Sequence, residues 1–348
     1  MTHKTPTSLA LIALLQTTPA MANDSSAAIG LGGLELKQSD AISMDSEDLF
    51  LSRQKVIVKY RFTNTSDRDV ETMVSFPLPP IPNAMDGYID VASFSDWREQ
   101  LQFKTLVDGK PVELGYYEAV VLSDRAGPKD LSAKIKALGW PIRYWEDYEF
   151  DQTYIEKLSN ADKAKLVAEG VLRKDPDSDY HFPNWQMQAH VTRKQIFPAG
   201  KTISVEHSYK PIAGGSVGGA LTPEYRKDAG MGFKDYAAKY CIDKVFLAGF
   251  DKRLAAEKKK SKARGDEFGV AYMEHWLDYI LKPGANWKGP IKDFRLVIDK
   301  EKPDNLLSVC LTGVKKIGPT RFEVRKTNFE PKQNIEILIA EFYDPAAM

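Results

Sequence analysis

Alternating hydrophobic and polar positions mark the first long element of the chain. In the segment QKVIVKYRF, one face carries the apolar residues Val56, Val58, Tyr60 and Phe62. Period-two alternation of β-branched and aromatic residues predicts a half-buried strand. VETMVSF repeats the alternation after the turn-forming residues 64–67, so we predict that the two strands pair as a hairpin.

The same alternation predicts strands along much of the remaining chain. Such patterns occur at residues 33–37, Tyr88–Phe94, Gln102–Val107, Trp185–Ile196, 201–211, Phe294–Ile298, Leu306–Leu311, Arg321–Arg325 and Ile335–Phe342. Asp108-Gly109 is typical of a two-residue hairpin turn, which predicts a return strand over Pro111–Leu114.

Helical periodicity appears in the middle of the chain and again before the last strands. LSAKIKALG predicts a short amphipathic helix ended by Gly139, and Ser159–Asp162 form a capping-box pattern before KAKLVAEGVL. A longer helical segment is predicted over residues 232–281, where two apolar stripes have helical spacing. The stripes are Tyr236, Tyr240, Val245 and Phe246, then Met273, Trp276, Leu277 and Ile280.

The order of elements is strands, helical insertion, strands, helices and strands. This order predicts a mainly β (α+β) fold rather than a parallel α/β sheet. We predict two β-sandwich-like lobes, an N-terminal lobe over residues 23–121 and a C-terminal β-rich lobe over residues 185–348. A helical insertion over residues 122–184 packs between or beside them, and the helical segment 232–281 precedes the last strands.

The first 22 residues have the layout of a secretory signal peptide. A basic start precedes an apolar run from Leu9 to Leu15, and residues 20–22 form a small-x-small cleavage site. The apolar run is too short to span a bilayer. Cleavage after Ala22 would leave a mature chain that starts at Asn23 and works in the periplasm.

The composition is that of a globular protein without charge bias. The chain of 348 residues is 43% hydrophobic and carries 48 basic and 48 acidic residues, which argues against a general polyanion binder. No second apolar run approaches membrane-spanning length, so the exported product is expected to be soluble. Cys241 and Cys310 predict one disulfide in an oxidising compartment, with two buried free thiols as the alternative.

The segment GGSVG at residues 214–218 matches the G-x-S-x-G nucleophile elbow of α/β-hydrolases. In that elbow, a turn from strand to helix lifts the serine above the sheet, and a histidine later in the chain is the base. Here Pro223 stands where the helix should run, and His275 is the histidine that follows Ser216. We therefore interpret the segment as a flexible glycine loop and predict no catalytic residue.

No metal or cofactor site is predicted. His190 and His207 would meet if their strands were neighbours, but no pair of histidines or cysteines has the spacing of a metal motif. Gly30–Gly33 neither follows a strand nor opens a helix, so it is not a dinucleotide fingerprint. The basic run EKKKSKAR is neutralised by Asp266 and Glu267, which indicates a solvated face. We expect no nucleic-acid partner.

Acidic and aromatic residues alternate within the predicted insertion. The acids are Glu146, Asp147, Glu149 and Asp151, and Trp140 and Trp145 lie close to them in the sequence. Paired acids beside tryptophans are typical of glycosidase and sugar-binding clefts. In the alternative interpretation, the aromatic residues pack the insertion onto the sheets and the acids face water.

Several long segments resemble one bacterial family. They are the opening NDSSAAIG to SFPLP, FPAGKTISVEHSYKPIAGGS, YCIDKVFL, ILKPGANWKGPIKDFRLVIDK and FEVRKTNFEPKQNIEILI. They span essentially the whole mature chain and are similar to the exported family called domain of unknown function 4424. The resemblance implies a periplasmic protein of Gram-negative bacteria and supplies no catalytic residues. FTNTSDRDVETMVSFPLP with VDGKPVE is also similar, over a short stretch, to strands of the vault/inter-alpha-trypsin type β-sandwich.

The residues favour a non-catalytic periplasmic binding or envelope-interaction protein whose partner is an envelope protein or a glycan. The strand pattern, the aromatic-rich insertion and the lack of a convincing catalytic set all point this way. One alternative is a cell-wall or polysaccharide hydrolase that uses acids such as Glu146 or Glu149. Another is an assembly or chaperone factor that accepts a client strand at a sheet edge.

Overall fold

The computed structural model describes residues 24–30, 33–81, 97–124, 127–227, 232–265 and 271–343. The strands are β1 Ser25–Gly30, β2 Gly33–Lys37, β3 Ile42–Leu51, β4 Val56–Asn64, β5 Val70–Pro77, β6 Lys104–Val107, β7 Lys110–Pro111, β8 Gly115–Asp124, β9 Gly127–Asp130, β10 Leu172–Lys174, β11 His181–Pro183, β12 Gln186–Phe197, β13 Thr202–Tyr209, β14 Gly214–Val217, β15 Ala271–Tyr279, β16 Ile291–Asp299, β17 Leu306–Val309, β18 Lys315–Lys316, β19 Arg321–Phe329 and β20 Ile335–Tyr343. The α-helices are α1 Trp97–Leu101, α2 Ser132–Leu138, α3 Asn160–Ala168, α4 Pro223–Lys227, α5 Phe233–Tyr240 and α6 Lys244–Arg264.

Three larger sheets form the body of the molecule. The central sheet has the order β18-β19-β16-β3-β4-β13-β6-β7, the front sheet β2-β1-β5-β12-β8-β9, and the side sheet β14-β15-β20-β17. Strands β16 and β3 pair in parallel, and the strands on either side of them pair antiparallel. The prediction of a mainly β, α+β fold is therefore confirmed.

One face of the central sheet is buried under the other two sheets. The main hydrophobic core contains Val58 from the central sheet, Val191 from the front sheet and Ile337 from the side sheet. Alternation along β4 explains this, since Val56 to Phe62 at even positions are buried and Lys59 and Arg61 are exposed. The other face of β4 and β13 is therefore open to solvent.

The predicted hairpin of QKVIVKYRF and VETMVSF is wrong. Both strands exist, but β4 pairs with β3 and β13 in the central sheet, and β5 pairs with β1 and β12 in the front sheet. The side-chain amide of Asn64 donates to the carbonyls of Arg68 and Phe197, both at 2.8 Å. Asn64 thus fixes the connection between β4 and β5, which passes from the central sheet to the front sheet and does not form a hairpin turn.

The sheets also differ from the predicted separation into two lobes. Strands from residues 23–121 pair directly with strands from residues 185–348, as β4 does with β13 and β5 with β12. Periodicity along the sequence identifies a strand but not its partner, because pairing is decided by packing between distant segments.

The predicted helical segment 232–281 is helical only in its first part. Helices α5 and α6 are present, but Met273, Trp276 and Leu277 lie in strand β15. Both faces of this strand are covered: Tyr272 packs with the helices and Leu277 with the core under the central sheet. A strand that is apolar on both faces loses the period-two pattern, which is why its apolar residues resemble a helical stripe.

The insertion has a hydrophobic core of its own, centred on Trp185. Trp140, Tyr144 and Phe150 are buried in this core together with Val120 of β8. The predicted aromatic cluster is therefore largely a core. The predicted caps are confirmed as well: Gly139 ends α2 in the left-handed conformation, and the Ser159 side chain accepts the first-turn N–H of Asp162.

Three predicted features lie outside the described residues. They are the signal peptide at residues 1–22, the strand at Tyr88–Phe94, and the centre of the Gly30–Gly33 segment. Among the residues that are described, none of the helices has the length and hydrophobicity needed to cross a membrane.

Candidate ligand-binding site

A cavity of about 380 Å³ lies where the insertion meets strand β8. Its walls are formed by Glu118, Pro141, Ile142, Arg143, Glu146, Asp147 and Tyr154. Clefts that hold small molecules typically measure about 300–1,000 Å³ and combine apolar walls with a few fixed polar groups. The volume of this cavity lies within that range, but the cavity is open to solvent and four of its seven lining residues are charged.

An ion-pair network fixes the floor of the cavity. The Arg143 guanidinium donates to both oxygens of Glu118, with Nε to Oε2 at 3.2 Å, and its Nη1 donates to Glu146 Oε1 at 3.1 Å. The indole N–H of Trp97 donates to Glu118 Oε1 at 3.0 Å. A carboxylate held by two partners keeps its position, so Glu118 presents a fixed polar surface.

The same contacts determine the charge state of the floor. Burial lowers the pKa of Arg143, but the hydrogen bonds and charges of Glu118 and Glu146 outweigh burial and raise it overall. Arg98 adds a second cation, with its Nη2 3.6 Å from Glu118 Oε1 and its guanidinium over the ring of Tyr116. The cavity therefore presents carboxylates and guanidinium groups side by side.

One tyrosine lines the cavity and another follows a lining residue in the sequence, and we call this pair, Tyr154 and Tyr148, the aromatic rim. Tyr148, which follows the lining residue Asp147, is 96% exposed. Tyr154 lines the cavity, and its hydroxyl forms no hydrogen bond with any residue that the structure describes. Both tyrosines can therefore contact a ligand without breaking an existing interaction.

Short irregular helices position this rim. A 3₁₀ turn covers Tyr144–Glu146 and a π-helical turn covers Asp151–Ile155. Tyr144, Phe150 and Ile155 anchor the segment to the insertion core, while Glu146, Tyr148 and Glu149 are exposed. π-helical turns occur often at functional sites, because the extra residue redirects side chains.

The segment that matches the hydrolase elbow, interpreted from the sequence as a flexible glycine loop, forms strand β14 over Gly214–Val217. Ser216 in β14 is opposite Glu274 in β15, and Gly215 is opposite His275. Neighbouring strand residues point to opposite faces, so Ser216 and His275 project from opposite sides of the side sheet. The Ser216 hydroxyl donates to the Gly218 carbonyl at 2.8 Å instead.

His275 belongs to an ion-pair cluster between the side and central sheets. Its Nε2 lies 2.6 Å from Arg53 Nη1 and 3.3 Å from Glu341 Oε2. Arg53 also bonds Glu301, whose backbone has a positive φ of 71°. Burial and the Arg53 charge lower the pKa of His275, so this residue is held in place as a neutral partner of Arg53.

Sequence reasoning missed a buried carboxyl on the other face of the side sheet. Glu274 is fully buried and accepts from Tyr272 Oη at 3.1 Å, from the Leu221 N–H at 3.0 Å and from Tyr236 Oη. Burial raises the pKa of Glu274. A Cβ on Gly219 would lie 2.3 Å from the Glu274 carboxyl carbon, so only glycine allows this close approach. Glu274 ties α5 and the glycine loop to the sheet.

The two histidines considered as metal ligands lie in different sheets. His190 in β12 bonds Ser75 Oγ at 3.1 Å, and His207 in β13 bonds Thr105 Oγ1 at 2.8 Å. Within the described ranges, no group of three His, Cys, Asp or Glu side chains is arranged to hold a metal ion. Both histidines are hydrogen-bonded core residues.

A second buried network was also missed by sequence reasoning. Asp24 is fully buried and forms a two-pronged ion pair with Arg193, at 3.1 Å and 2.7 Å, while His207 Nε2 lies 3.1 Å from the same carboxylate. Arg193 is in β12 and His207 in β13, so Asp24 links the front and central sheets. No local sequence motif indicates this ion pair, because Asp24 and Arg193 are far apart in the sequence.

Buried His190 predicts a pH dependence of stability. Burial lowers the pKa of His190 to about 4, whereas the unfolded residue titrates near about 6.5. The unfolded chain therefore binds the proton first as the pH falls. The contribution of neutral His190 to the free energy of unfolding is fully present above about pH 6.5. It falls by about 3 kcal/mol as the pH is lowered toward 4.

We expect His190→Gln to flatten the decline of unfolding free energy between pH 7 and pH 4 in urea titrations. Burial also lowers the pKa of His207, so the variant retains the part of the decline that His207 causes. An unchanged decline in the variant would contradict the assignment to His190. His181→Gln is the control, because that side chain is not buried.

The predicted disulfide between Cys241 and Cys310 is present. The two Cα atoms are 5.1 Å apart and the cysteines are 69 residues apart in the sequence. Cys241 immediately follows α5 and Cys310 immediately follows β17. The disulfide therefore fastens the helical pair to the side sheet.

Comparison with known proteins places the chain in a family. A family model described as domain of unknown function (DUF4424) matches residues 22–338. The chain belongs to the DUF4424 family. The structure is similar to the crystal structure of a proposed nutrient-binding protein from Legionella pneumophila, with 13% identity and a TM-score of 0.41. That similarity covers 92% of this DUF4424 chain and 70% of the Legionella chain. None of the curated proteins compared matches the chain.

Proposed function

We propose that this protein is an exported periplasmic binding protein that holds a saccharide in the cavity between β8 and the insertion. The observation that carries the proposal is the combination of a fixed Glu118–Arg143 floor with the aromatic rim of Tyr148 and Tyr154. Carboxylates and guanidinium groups bond adjacent hydroxyls, and tyrosine rings offer an apolar body with a polar tip.

Two features support a location outside the cytoplasm. The first 22 residues have the layout of a signal peptide, and the mature chain carries a disulfide. Disulfides persist in oxidising compartments such as the bacterial periplasm and are rare in the cytosol.

The geometry supports binding over glycoside hydrolysis. A glycosidase needs one carboxyl kept protonated by its surroundings, but Glu146 is exposed and lies 3.1 Å from the Arg143 guanidinium. Glu149 is exposed and does not line the cavity. The acids named for the hydrolase alternative thus lack the required environment.

A strand-accepting role has less support than binding at the cavity. Accepting a client strand requires a long open edge. The central sheet ends in the two-residue strands β7 and β18, and the side sheet ends in the four-residue strands β14 and β17. The front sheet ends in the five-residue strand β2 and the four-residue strand β9. Short edge strands discourage strand addition, but β18 pairs with only Phe322 and Glu323 of the nine-residue β19.

The binding proposal is tested with a panel of mono- and disaccharides in calorimetric titrations. Tyr154→Phe removes a hydroxyl from the wall and Tyr148→Ala removes the rim ring, so we expect each to weaken saccharide binding roughly three- to tenfold. The control is Tyr343→Phe, which removes a hydroxyl from the end of β20, outside the cavity lining. Absence of saccharide binding, or equal affinity in all three variants, would refute the proposal.

A further inference from the structure

A second cavity lies at the far end of the central sheet and has a different chemistry. It measures about 290 Å³ and is lined by Gln54, Lys55, Gln102, Lys104, Ser208, Tyr209 and Lys210. Three of these residues are lysines, and no carboxylate appears among the described residues of the lining. We refer to this cavity as the three-lysine groove.

Strand register places the three lysines on one face. Ser208 in β13 is opposite Ile57 in β4 and opposite Lys104 in β6. Continuing the β13–β4 register by two residues places Lys210 opposite Lys55. Residues two apart on a strand share a face, so Lys210, Lys55 and Lys104 all project from the solvent face of the central sheet.

None of these three lysines forms an ion pair with a residue that the structure describes, in contrast to the position four residues further along β4 and β13. Further along β13, Glu206 is opposite Lys59, and their charged atoms lie 3.3 Å apart. At the end of the strand, Lys210 is opposite Lys55 and Lys104 lies on the other side. Like charges directly opposite each other in a sheet are destabilising, so the groove concentrates positive charge that an anion would neutralise.

The backbone beneath the lysines is held firmly. Phe103 stacks on Tyr209 with ring centroids 5.0 Å apart, and the N–H of Lys210 donates to the Leu101 carbonyl at 2.8 Å. The residues next to the lysines are therefore fixed by the core.

We propose that the three-lysine groove binds a phosphate group, carried either by a free phosphate compound or by a lipid headgroup. Three ammonium groups and the hydroxyl of Ser208 surround a space larger than one phosphate ion, so the rest of the ligand would extend along the two glutamines. This site is separate from the saccharide cavity of the insertion and does not depend on it.

The first arm of the test is a calorimetric titration with inorganic phosphate at low ionic strength. We expect saturable binding that weakens as salt is added. Lys104→Gln and Lys210→Gln are each expected to weaken it about tenfold, since each removes one charge-assisted hydrogen bond. Lys59→Gln, whose lysine faces Glu206 on the same two strands, is the matched control and should leave the affinity unchanged.

The second arm is cosedimentation with phosphatidylcholine vesicles, with and without phosphatidylglycerol. Binding of inorganic phosphate without vesicle binding identifies a free phosphate compound as the ligand. Binding only to phosphatidylglycerol vesicles, lost in the Lys104→Gln, Lys210→Gln double variant, identifies a lipid headgroup. If neither probe binds, or if Lys59→Gln weakens binding as much as the groove variants, the proposal is overturned.

A third measurement needs no ligand. Relief of like-charge repulsion should raise the melting temperature of unliganded Lys55→Gln, whereas Lys59→Gln loses an ion pair and should not gain stability. A melting temperature that falls in Lys55→Gln would contradict the uncompensated charge on which the proposal depends.

Discussion

Asp24→Asn is expected to lower the free energy of unfolding by about 3–5 kcal/mol, because it leaves a buried arginine without its counter-charge. Asp24 has no exposed surface, and the side chain of its partner Arg193 is 2% exposed. The Asp24 carboxylate accepts hydrogen bonds with both of its oxygens. The asparagine amide has a single accepting oxygen and no negative charge, so it cannot satisfy Arg193 and His207 together. Urea unfolding at pH 7, compared with the wild type, measures the loss.

The pH dependence gives this prediction a second readout. Burial raises the pKa of Asp24, but the charges of Arg193 and His207 outweigh burial and hold it well below its usual range. Because the pKa of Asp24 is lower in the folded protein than in the unfolded chain, where it is about 3.9, the ionised carboxylate stabilises the folded state above that pH. This stabilisation is lost as the pH falls below about 3.9. The variant should therefore lose less stability than the wild type when the pH is lowered from 5 to 3.

Asp45→Asn is the matched control for Asp24→Asn. Asp45 also pairs with a cation, Lys292, but its side chain is 24% exposed and that of the lysine 58%. Surface pairs of this kind contribute up to about 1 kcal/mol. If Asp24→Asn costs no more than Asp45→Asn, the buried ion pair does not stabilise the contact between the front and central sheets as we infer.

The position of Asp24 links this pair to the proposed export of the protein. Under the predicted cleavage after Ala22, Asp24 is the second residue of the mature chain. Its carbonyl accepts the indole N–H of Trp287 at 2.6 Å, in addition to the side-chain pair with Arg193. A residue beside the proposed new terminus thus takes part in the core.

Much of the fold could be predicted because most strands carry their own pattern. Strands β4 and β13 are buried on one face, and their alternation identified them from the sequence alone. Their partners could not be identified, because the pairing of β4 with β13 joins segments about 140 residues apart and depends on packing rather than local periodicity. The wrong hairpin has this cause, whereas the wrong helix over β15 arose because that strand is buried on both faces and has no period-two pattern.

The candidate sites were predictable to different degrees. Acids and aromatic residues around Glu146 were noted in the sequence, but Glu118, the carboxylate that fixes the cavity floor, comes from a strand that periodicity did not identify. The three-lysine groove had no local signal at all. Lys55, Lys104 and Lys210 lie in three separate segments and meet only through the register of three strands.

Loss of the disulfide is the second large effect that we expect. Replacing Cys241 and Cys310 together by serine should lower the free energy of unfolding by about 4 kcal/mol, because the disulfide closes a long loop in the unfolded chain. The cysteines are separated by 69 residues, and the loop between them contains helix α6 and strands β15, β16 and β17. Urea unfolding of the wild type and the double variant, each with and without reductant, measures the effect.

The reduced wild type and the Cys241→Ser, Cys310→Ser double variant should have the same free energy of unfolding. Reductant should reduce the stability of the wild type to that of the double variant and should leave the variant unchanged. The helices are also expected to open before the sheets in the variant, because Cys241 joins the end of α5 to the chain beyond β17. Amide exchange that is faster in α5 and α6 but unchanged in β4 and β13 would show this. Equal stability of the oxidised wild type and the variant would mean that packing of Phe250 and Leu254 on the side sheet, rather than the disulfide, holds the helical pair in place.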